Sequence, residues 1–208
     1  MLTPPLLYDG PDDASLTVTL AHGAGAAMDS PFMNAFAEGL AAAGYRVARF
    51  EFPYMQRRRA EGTRLPPDRA PVLLDAWQAV IAELGGGDAL VIGGKSMGGR
   101  MASMIADQAA VRGLVCLGYP FHAPGKTTSP ERLGHMATLT TPSLIVQGTR
   151  DALGAQGEVD DYPLSPAAQI HWSEDGDHSL KPRVASGRTE AQNIAEGVDA
   201  VIGFLLQL

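Results

Sequence analysis

Ala89-Leu90-Val91-Ile92-Gly93-Gly94-Lys95-Ser96-Met97-Gly98-Gly99-Arg100 is the stretch that decides how this chain is read. An apolar run from Ala89 to Ile92 leads into Gly94-Lys95-Ser96-Met97-Gly98, a G-x-S-x-G, and a stretch rich in Met and Ala follows that reads as helix. Glycines two before and two after a serine have a mechanical reason. In a tight strand-to-helix turn the serine takes a strained backbone conformation, and only residues without a side chain fit where strand and helix approach their neighbours. Gly-Lys-Ser is also the tail of a phosphate-binding loop, but G-x-x-x-x-G-K-[ST] ending at Ser96 requires glycine at position 89, which is Ala89. The apolar strand also runs to within two residues of Lys95, leaving no room for that loop. An ordinary Gly-rich turn with an idle serine is the other alternative, and the rest of the chain has to decide.

At 208 residues the chain is read as one domain, 1–208, large enough to bury about 70 % of the surface its unfolded form exposes. Apolar residues make up 45 % and charged residues 19 %, and no apolar run approaches the roughly 20 residues of a membrane span. Met1-Leu2-Thr3-Pro4-Pro5 lacks the basic start and long apolar stretch of a signal peptide. The single Cys116 lies in the apolar run Leu114–Leu117 and has no disulfide partner within the chain. A cytoplasmic location is therefore expected, with Cys116 packing in the core. A net charge of −7 argues against bulk nucleic-acid affinity. No metal or cofactor is expected, and the oligomeric state is left open.

Residues 1–15 are Pro- and Asp-rich and read as an irregular lead-in or a stunted edge strand. Leu16–Leu20 alternates with Thr17 and Thr19 as a strand does, and ends in Ala21-His22-Gly23-Ala24-Gly25-Ala26. Ser30 caps a helix with Pro31 in first position, whose apolar residues Met33, Phe36, Ala37, Leu40 and Ala41 recur with helical spacing; Gly44 closes it. Tyr45–Phe52 reads as the next strand, then Pro53-Tyr54 and a basic, loop-like stretch from Arg57 to Pro67. Leu73, Ala76, Trp77, Val80 and Ile81 repeat the helical spacing before Gly85-Gly86-Gly87. Further strands are read at 114–117, 144–146 and 168–172, with room for one short helix between Pro120 and Pro142. Thr189 and Gln192 form a capping box for a last helix with Ile194, Ala195, Val198, Val201, Ile202 and Leu205 as its inner face.

Nearly continuous apolar strands alternating with amphipathic helices imply an α/β fold, a mostly parallel sheet of about six strands covered on both faces. Ligand sites in such sheets lie at the carboxyl ends of the strands. His22-Gly23-Ala24-Gly25 follows the first strand, Ser96 the third, Asp151 the fifth and Asp177-His178 the sixth. Serine, aspartate and histidine therefore emerge from strand ends in the chain order of α/β-hydrolases. A serine hydroxyl attacks a carbonyl only if a base takes its proton; His178 is the candidate base, and Asp151 would hold its tautomer and stabilise the imidazolium. The oxyanion would be met by the Met97 N–H and by one from the Gly23-Ala24 turn, with Ala24 preferred. Against these stand plainer roles. His22 is read as bracing its loop, His171 as part of a strand, and His122 and His135 as lying between strands. Glu158, Asp160 and Asp161 rival Asp151, and Met97, Met101 and Met104 read as helix packing.

The strings Ala21-His22-Gly23-Ala24-Gly25-Ala26, Gly94-Lys95-Ser96-Met97-Gly98-Gly99-Arg100, Gly118-Tyr119-Pro120-Phe121-His122, Gln147-Gly148-Thr149-Arg150-Asp151 and Gly176-Asp177-His178-Ser179-Leu180-Lys181 resemble those of small dienelactone-hydrolase-like α/β-hydrolases. More narrowly, they look like a bacterial branch related to a testis-expressed eukaryotic protein and to a subunit of the non-specific-lethal chromatin complex. The resemblance runs from about residue 16 to the end. It implies an α/β-hydrolase fold with Ser96, Asp151 and His178 as catalytic triad. Dienelactone hydrolases proper use a cysteine nucleophile where this chain has Ser96, so their substrate does not carry over. The expectation is a serine hydrolase of the carboxylesterase or thioesterase kind, acting on a small ester or thioester at an open site with a minimal cap. The chromatin relative keeps a second class in view, a non-catalytic interaction or scaffold protein. Arg57, Arg58, Arg59, Lys95, Arg100, Lys126, Arg150, Lys181 and Arg183 fall near the strand ends, so anionic substrates would be favoured if some of them converge on the site; otherwise they are surface charge.

Overall fold

The computed structural model describes residues 3–208; Met1 and Leu2 of the lead-in lie outside the described residues. Seven strands form one sheet: β1 (Leu6–Asp9), β2 (Thr17–Ala21), β3 (Arg46–Phe50), β4 (Leu90–Lys95), β5 (Gly113–Leu117), β6 (Ser143–Gly148) and β7 (Ala168–Ser173). Their order is β1-β3-β2-β4-β5-β6-β7, parallel throughout except β1, which pairs antiparallel with β3 at one edge. The period of two along each strand divides the core. Leu90, Ile92, Leu114 and Cys116 face one apolar cluster, while Val91, Val115 and Leu117 face the other.

Among the described residues seven α-helices flank the sheet: α1 (Pro31–Ala42), α2 (Pro53–Glu61), α3 (Ala70–Glu83), α4 (Met97–Ser103), α5 (Pro130–Thr138), α6 (Gln156–Val159) and α7 (Glu190–Leu205). On α3 the five spaced residues, Leu73, Ala76, Trp77, Val80 and Ile81, are the buried ones, and Trp77 meets Phe50 edge-on at 4.8 Å. α1 and α7 lie together on the opposite face, and the Thr189–Gln192 capping box at the head of α7 is formed in both directions. Between β5 and β6 stands α5 alone.

Two expectations are corrected, and the lead-in takes the edge-strand alternative as β1, the seventh strand of the sheet. Leu7 and Tyr8 are exposed and show no alternation, but Asp9 carries the counter-charge for Arg49, which is only 3 % exposed and pairs with it at 2.8 Å. The stretch read as a basic loop begins with α2. Pro53 stands in its first turn and Gly62, at φ 67°, ends it. Only Tyr54 and Met55 of α2 are buried, so no apolar stripe announces it. Finally, α7 is rotated from the expected face. Asn193, Gly197, Val198, Val201, Phe204 and Leu205 are its buried residues, whereas Ala195 is exposed and Ile194 and Ile202 are half-buried. The reason is Gly197, which lets the Phe36 ring approach to 3.1 Å of where a Cβ would stand.

Candidate functional site

Ser96 sits between the end of β4 and the start of α4 with φ 51° and ψ −114°, a conformation sparsely populated by residues other than glycine. Such a residue costs on the order of 1–3 kcal/mol and persists only where its surroundings enforce it. Here β2 does so. A Cβ at Gly94 would lie 2.0 Å from the Ala21 carbonyl oxygen, and one at Gly98 2.4 Å from the same oxygen, so both glycines of the G-x-S-x-G are required by the neighbouring strand. The Ser96 N–H donates to Leu117 O at 3.0 Å, which ties the turn to β5.

The turn after β7 brings His178 to this serine. His178 Nε2 lies 2.9 Å from Ser96 Oγ, and His178 Nδ1 lies 2.8 Å from Asp151 Oδ2. Asp151, in the loop after β6, is fully buried; its Oδ1 accepts the Leu153 N–H at 2.8 Å, and its Oδ2 also accepts from Gln147 Nε2 at 2.9 Å. Three donors hold this buried carboxylate in place. The His178 loop is itself anchored. Asp177 Oδ1 accepts the N–H groups of Ser179 and Lys181, and Asn193 of α7 donates to the carbonyls of Leu180 and Glu174.

Two residues that pattern reasoning passed over hold this arrangement. Gln147 sits in apolar β6, four residues before Asp151, and a buried amide inside such a strand is the signal that could have exposed it. Its Oε1 accepts the Tyr119 N–H at 2.7 Å while its Nε2 serves Asp151, Tyr119 O and Gly154 O. Lys95, weighed in the sequence as a phosphate-loop lysine and as one of the basic residues near the strand ends, has a different role. Its Nζ donates to the His178 carbonyl and stands 5.1 Å over the Phe32 ring. Burial lowers the Lys95 ammonium to about 8, against the opposing pull of Asp151 and Asp177. Gly118, at φ 68°, leaves the space for this contact. A side chain there would meet Lys95 Nζ at 2.6 Å and His178 O at 2.8 Å.

The loop 23–26 forms the facing wall. His22 is fully buried; its Nδ1 meets Gly23 O at 2.6 Å and its Nε2 accepts the Phe52 N–H at 3.1 Å, so Nδ1 carries the proton and the ring is neutral, as burial also favours. This is the bracing role expected of it. Tyr54 Oη donates to the carbonyls of Gly23 and Ala24 at 3.3 and 3.1 Å. Because a trans peptide points its N–H opposite its carbonyl, the Ala24 N–H is turned away from His22 and Tyr54. Among the described residues neither that N–H nor the Met97 N–H, one of the orphan donors at the head of α4, meets an acceptor. Gly23, Ala24, Gly25, Phe32, Lys95, Ser96 and His178 are among the walls of a pocket of about 430 Å³.

Other candidates lie elsewhere. His122 faces Glu158 at 3.2 Å, and His135 faces Ser103 at 2.8 Å and Tyr119; neither borders the pocket. His171 is half-buried on β7, and Asp160 and Asp161 are exposed. A larger cavity, about 720 Å³ between α1 and α7, shares only Pro31 and Phe32 with the pocket; Glu190 and Asp199 line it, but no serine, cysteine or histidine does. Among the described residues no three His, Cys, Asp or Glu side chains are grouped as metal ligands, and no helix is long and apolar enough to cross a membrane. Cys116 is buried in the core, where burial pushes its thiol up, and it takes no part in the site. An oxygen nucleophile, a base within hydrogen-bond reach and free N–H donors beside one pocket are the parts that acyl transfer requires.

Strand order, crossover connections and a serine on a strained strand-to-helix turn together define an α/β-hydrolase fold. The family model described as "Alpha/beta hydrolase domain" matches residues 14–206, and the chain belongs to that family. Solved structures agree on the fold. Est1E from Butyrivibrio proteoclasticus is 14 % identical with a TM-score of 0.69, covering 97 % of this chain and 94 % of that one. An alpha-beta serine hydrolase homologue from Coxiella burnetii is 17 % identical with a TM-score of 0.69, over 93 % of this chain and 88 % of that chain. A Xanthomonas campestris protein described as an a/b serine hydrolase without lid is 18 % identical with a TM-score of 0.61, covering 94 % and 88 %.

Proposed function

We propose that this protein is a single-domain serine hydrolase that cleaves a carboxylic ester or thioester through an acyl-enzyme. The observation that carries the reading is the continuous line from Ser96 Oγ through His178 to Asp151, at 2.9 and 2.8 Å, on the wall of the pocket. In this mechanism His178 Nε2 takes the Ser96 proton as Oγ bonds to the substrate carbonyl carbon. The oxyanion is met by the Met97 and Ala24 N–H groups, and Asp151 stabilises the imidazolium. His178 then returns the proton to the departing alcohol or thiol as its bond to the carbonyl carbon breaks. Water, deprotonated by the same imidazole, releases the acid and regenerates Ser96. Esters bearing a carboxylate or phosphate are placed ahead of neutral ones, because Lys95 lines the pocket without a carboxylate paired to it. A reducing cytoplasmic setting fits the single buried Cys116. The narrower placement in the dienelactone-hydrolase-like branch, with its testis-expressed and chromatin-complex relatives, rests on the quoted sequence strings.

The competing reading is a scaffold without catalysis. A scaffold has no use for a strained serine within hydrogen-bond reach of a histidine that a buried carboxylate orients, and this favours the enzyme. Reaction with a fluorophosphonate followed by intact-mass measurement separates the two. The expected result is one adduct on the native protein and none on Ser96→Ala. The variant should also lose about 10⁴- to 10⁶-fold in kcat on short activated esters while keeping its fold. An unlabelled native protein, or a Ser96→Ala variant retaining a tenth of native turnover, refutes the nucleophile assignment.

A further inference from the structure

The basic residues near the strand ends fall into two groups once their partners are known. Arg57 pairs with Asp68 at 2.6 Å, Arg59 with Glu51 at 2.6 Å and Asp29 at 2.9 Å, and Arg150 and Arg183 share Asp175. Each of these charges is met where it stands. Arg58, between two paired arginines on the same helix, is paired with no carboxylate among the described residues. Its Nε donates to Leu65 O at 2.5 Å, one terminal nitrogen reaches Ala24 O at 3.4 Å, and its guanidinium stacks 5.0 Å over the Tyr54 ring. Those contacts fix the guanidinium and leave its other terminal nitrogen without a partner among the described residues. Arg64 is exposed and likewise has none among them.

Arg58 and Arg64, with Leu65, Pro66 and Pro67, line a cleft of about 450 Å³. Ala24 and Gly25 line both this cleft and the Ser96 pocket, so the two cavities meet across the loop that carries the Ala24 N–H. Among the described residues no carboxylate lines either cavity. An immobilised guanidinium with a free donor, a second guanidinium beside it and a wall of two prolines form a recognition geometry for a carboxylate or phosphate. We infer that Arg58 and Arg64 form an anion subsite of the Ser96 site, holding a carboxylate or phosphate carried by the ester or thioester being cleaved. The inference rests on the hydrolase reading above.

The test uses three esters of matched size and leaving group, one neutral, one carrying a carboxylate and one a phosphate, with kcat/KM measured on the native protein. At about 0.05 M salt the anionic-to-neutral ratio is expected to be roughly tenfold, the size of one charge-assisted hydrogen bond at a half-exposed guanidinium. Raising salt to about 0.5 M should shrink it several-fold, because the Debye length falls from about 14 to about 4 Å. Arg64→Glu, at an exposed position whose change threatens no packing, and Arg58→Gln should each lower the ratio several-fold, and together leave only the smaller preference that Lys95 of the pocket contributes. Arg183→Gln, whose charge already sits against Asp175, should keep the native ratio. The anion with the higher ratio identifies the substrate class. A native ratio near one at low salt, or a ratio that survives Arg64→Glu and Arg58→Gln, overturns the subsite and leaves the hydrolase standing. Absence of turnover on all three esters brings down the hydrolase reading and the subsite together.

Discussion

Replacing Gln147 with methionine tests how Asp151, the proposed acid of the triad, is held. Methionine has a similar length, so the cavity term is small and the lost hydrogen bonds dominate. The Tyr119 N–H, buried and bonded to Gln147 Oε1 at 2.7 Å, would be orphaned, at about 1–3 kcal/mol. Asp151 would lose one of its three donors, the amide at 2.9 Å, and a bond to a charged group contributes about 1.5–3 kcal/mol. Tyr119 O and Gly154 O lose a shared donor as well. The apolar methionine offsets part of this, so about 3–5 kcal/mol of destabilisation is expected, a large fraction of the 5–15 kcal/mol usual for a domain. Since Leu153 N–H and His178 still hold the carboxylate, kcat should fall only about tenfold, far less than for loss of the acid itself. Urea unfolding reads the first quantity as a midpoint shift at constant slope, and turnover of a short ester reads the second. A loss under about 1 kcal/mol with native kcat would show that Gln147 does not hold Asp151. Gln147→Glu adds a sign. A second buried carboxyl beside Asp151 has its folded pKa raised, so its penalty should grow as pH rises from about 5 to 8.

Asp151→Asn should lower kcat by roughly 10⁴, whereas Asp160→Asn and Asp161→Asn, both exposed, should leave it within a few fold; the reverse pattern in ester kinetics would move the acid into the later loop. Lys95 predicts a rise of stability with pH. Its folded value of about 8 lies below the ordinary 10.5, so between those values the unfolded chain holds the proton that the folded chain has released. Native protein should therefore gain on Lys95→Met by about 3 kcal/mol over that range, read as the difference in urea midpoints. Parallel midpoints from pH 8 to 10.5 would contradict the buried ammonium.

The sequence by itself determined the elements whose signals are local. The G-x-S-x-G turn, the period of two in the central strands, the spaced stripe of α3 and the capping box of α7 are written within a few residues of where they act. Ranking strand ends then placed Ser96, Asp151 and His178 in one region, because a parallel sheet delivers its carboxyl ends to one side. Tertiary structure decided what depends on partners far along the chain. α2 has no apolar stripe and β1 no alternation, since one contributes mainly salt-bridging arginines and the other the counter-charge of Arg49. The inner face of α7 was set by how closely Phe36 can approach Gly197. Gln147 and Lys95 work through contacts with Tyr119 and His178, 28 and 83 residues away, and no periodicity encodes such a pairing. The same holds for the arginines. Which charges are neutralised and which remain free is a property of distances between side chains, and those distances exist only once the chain has folded.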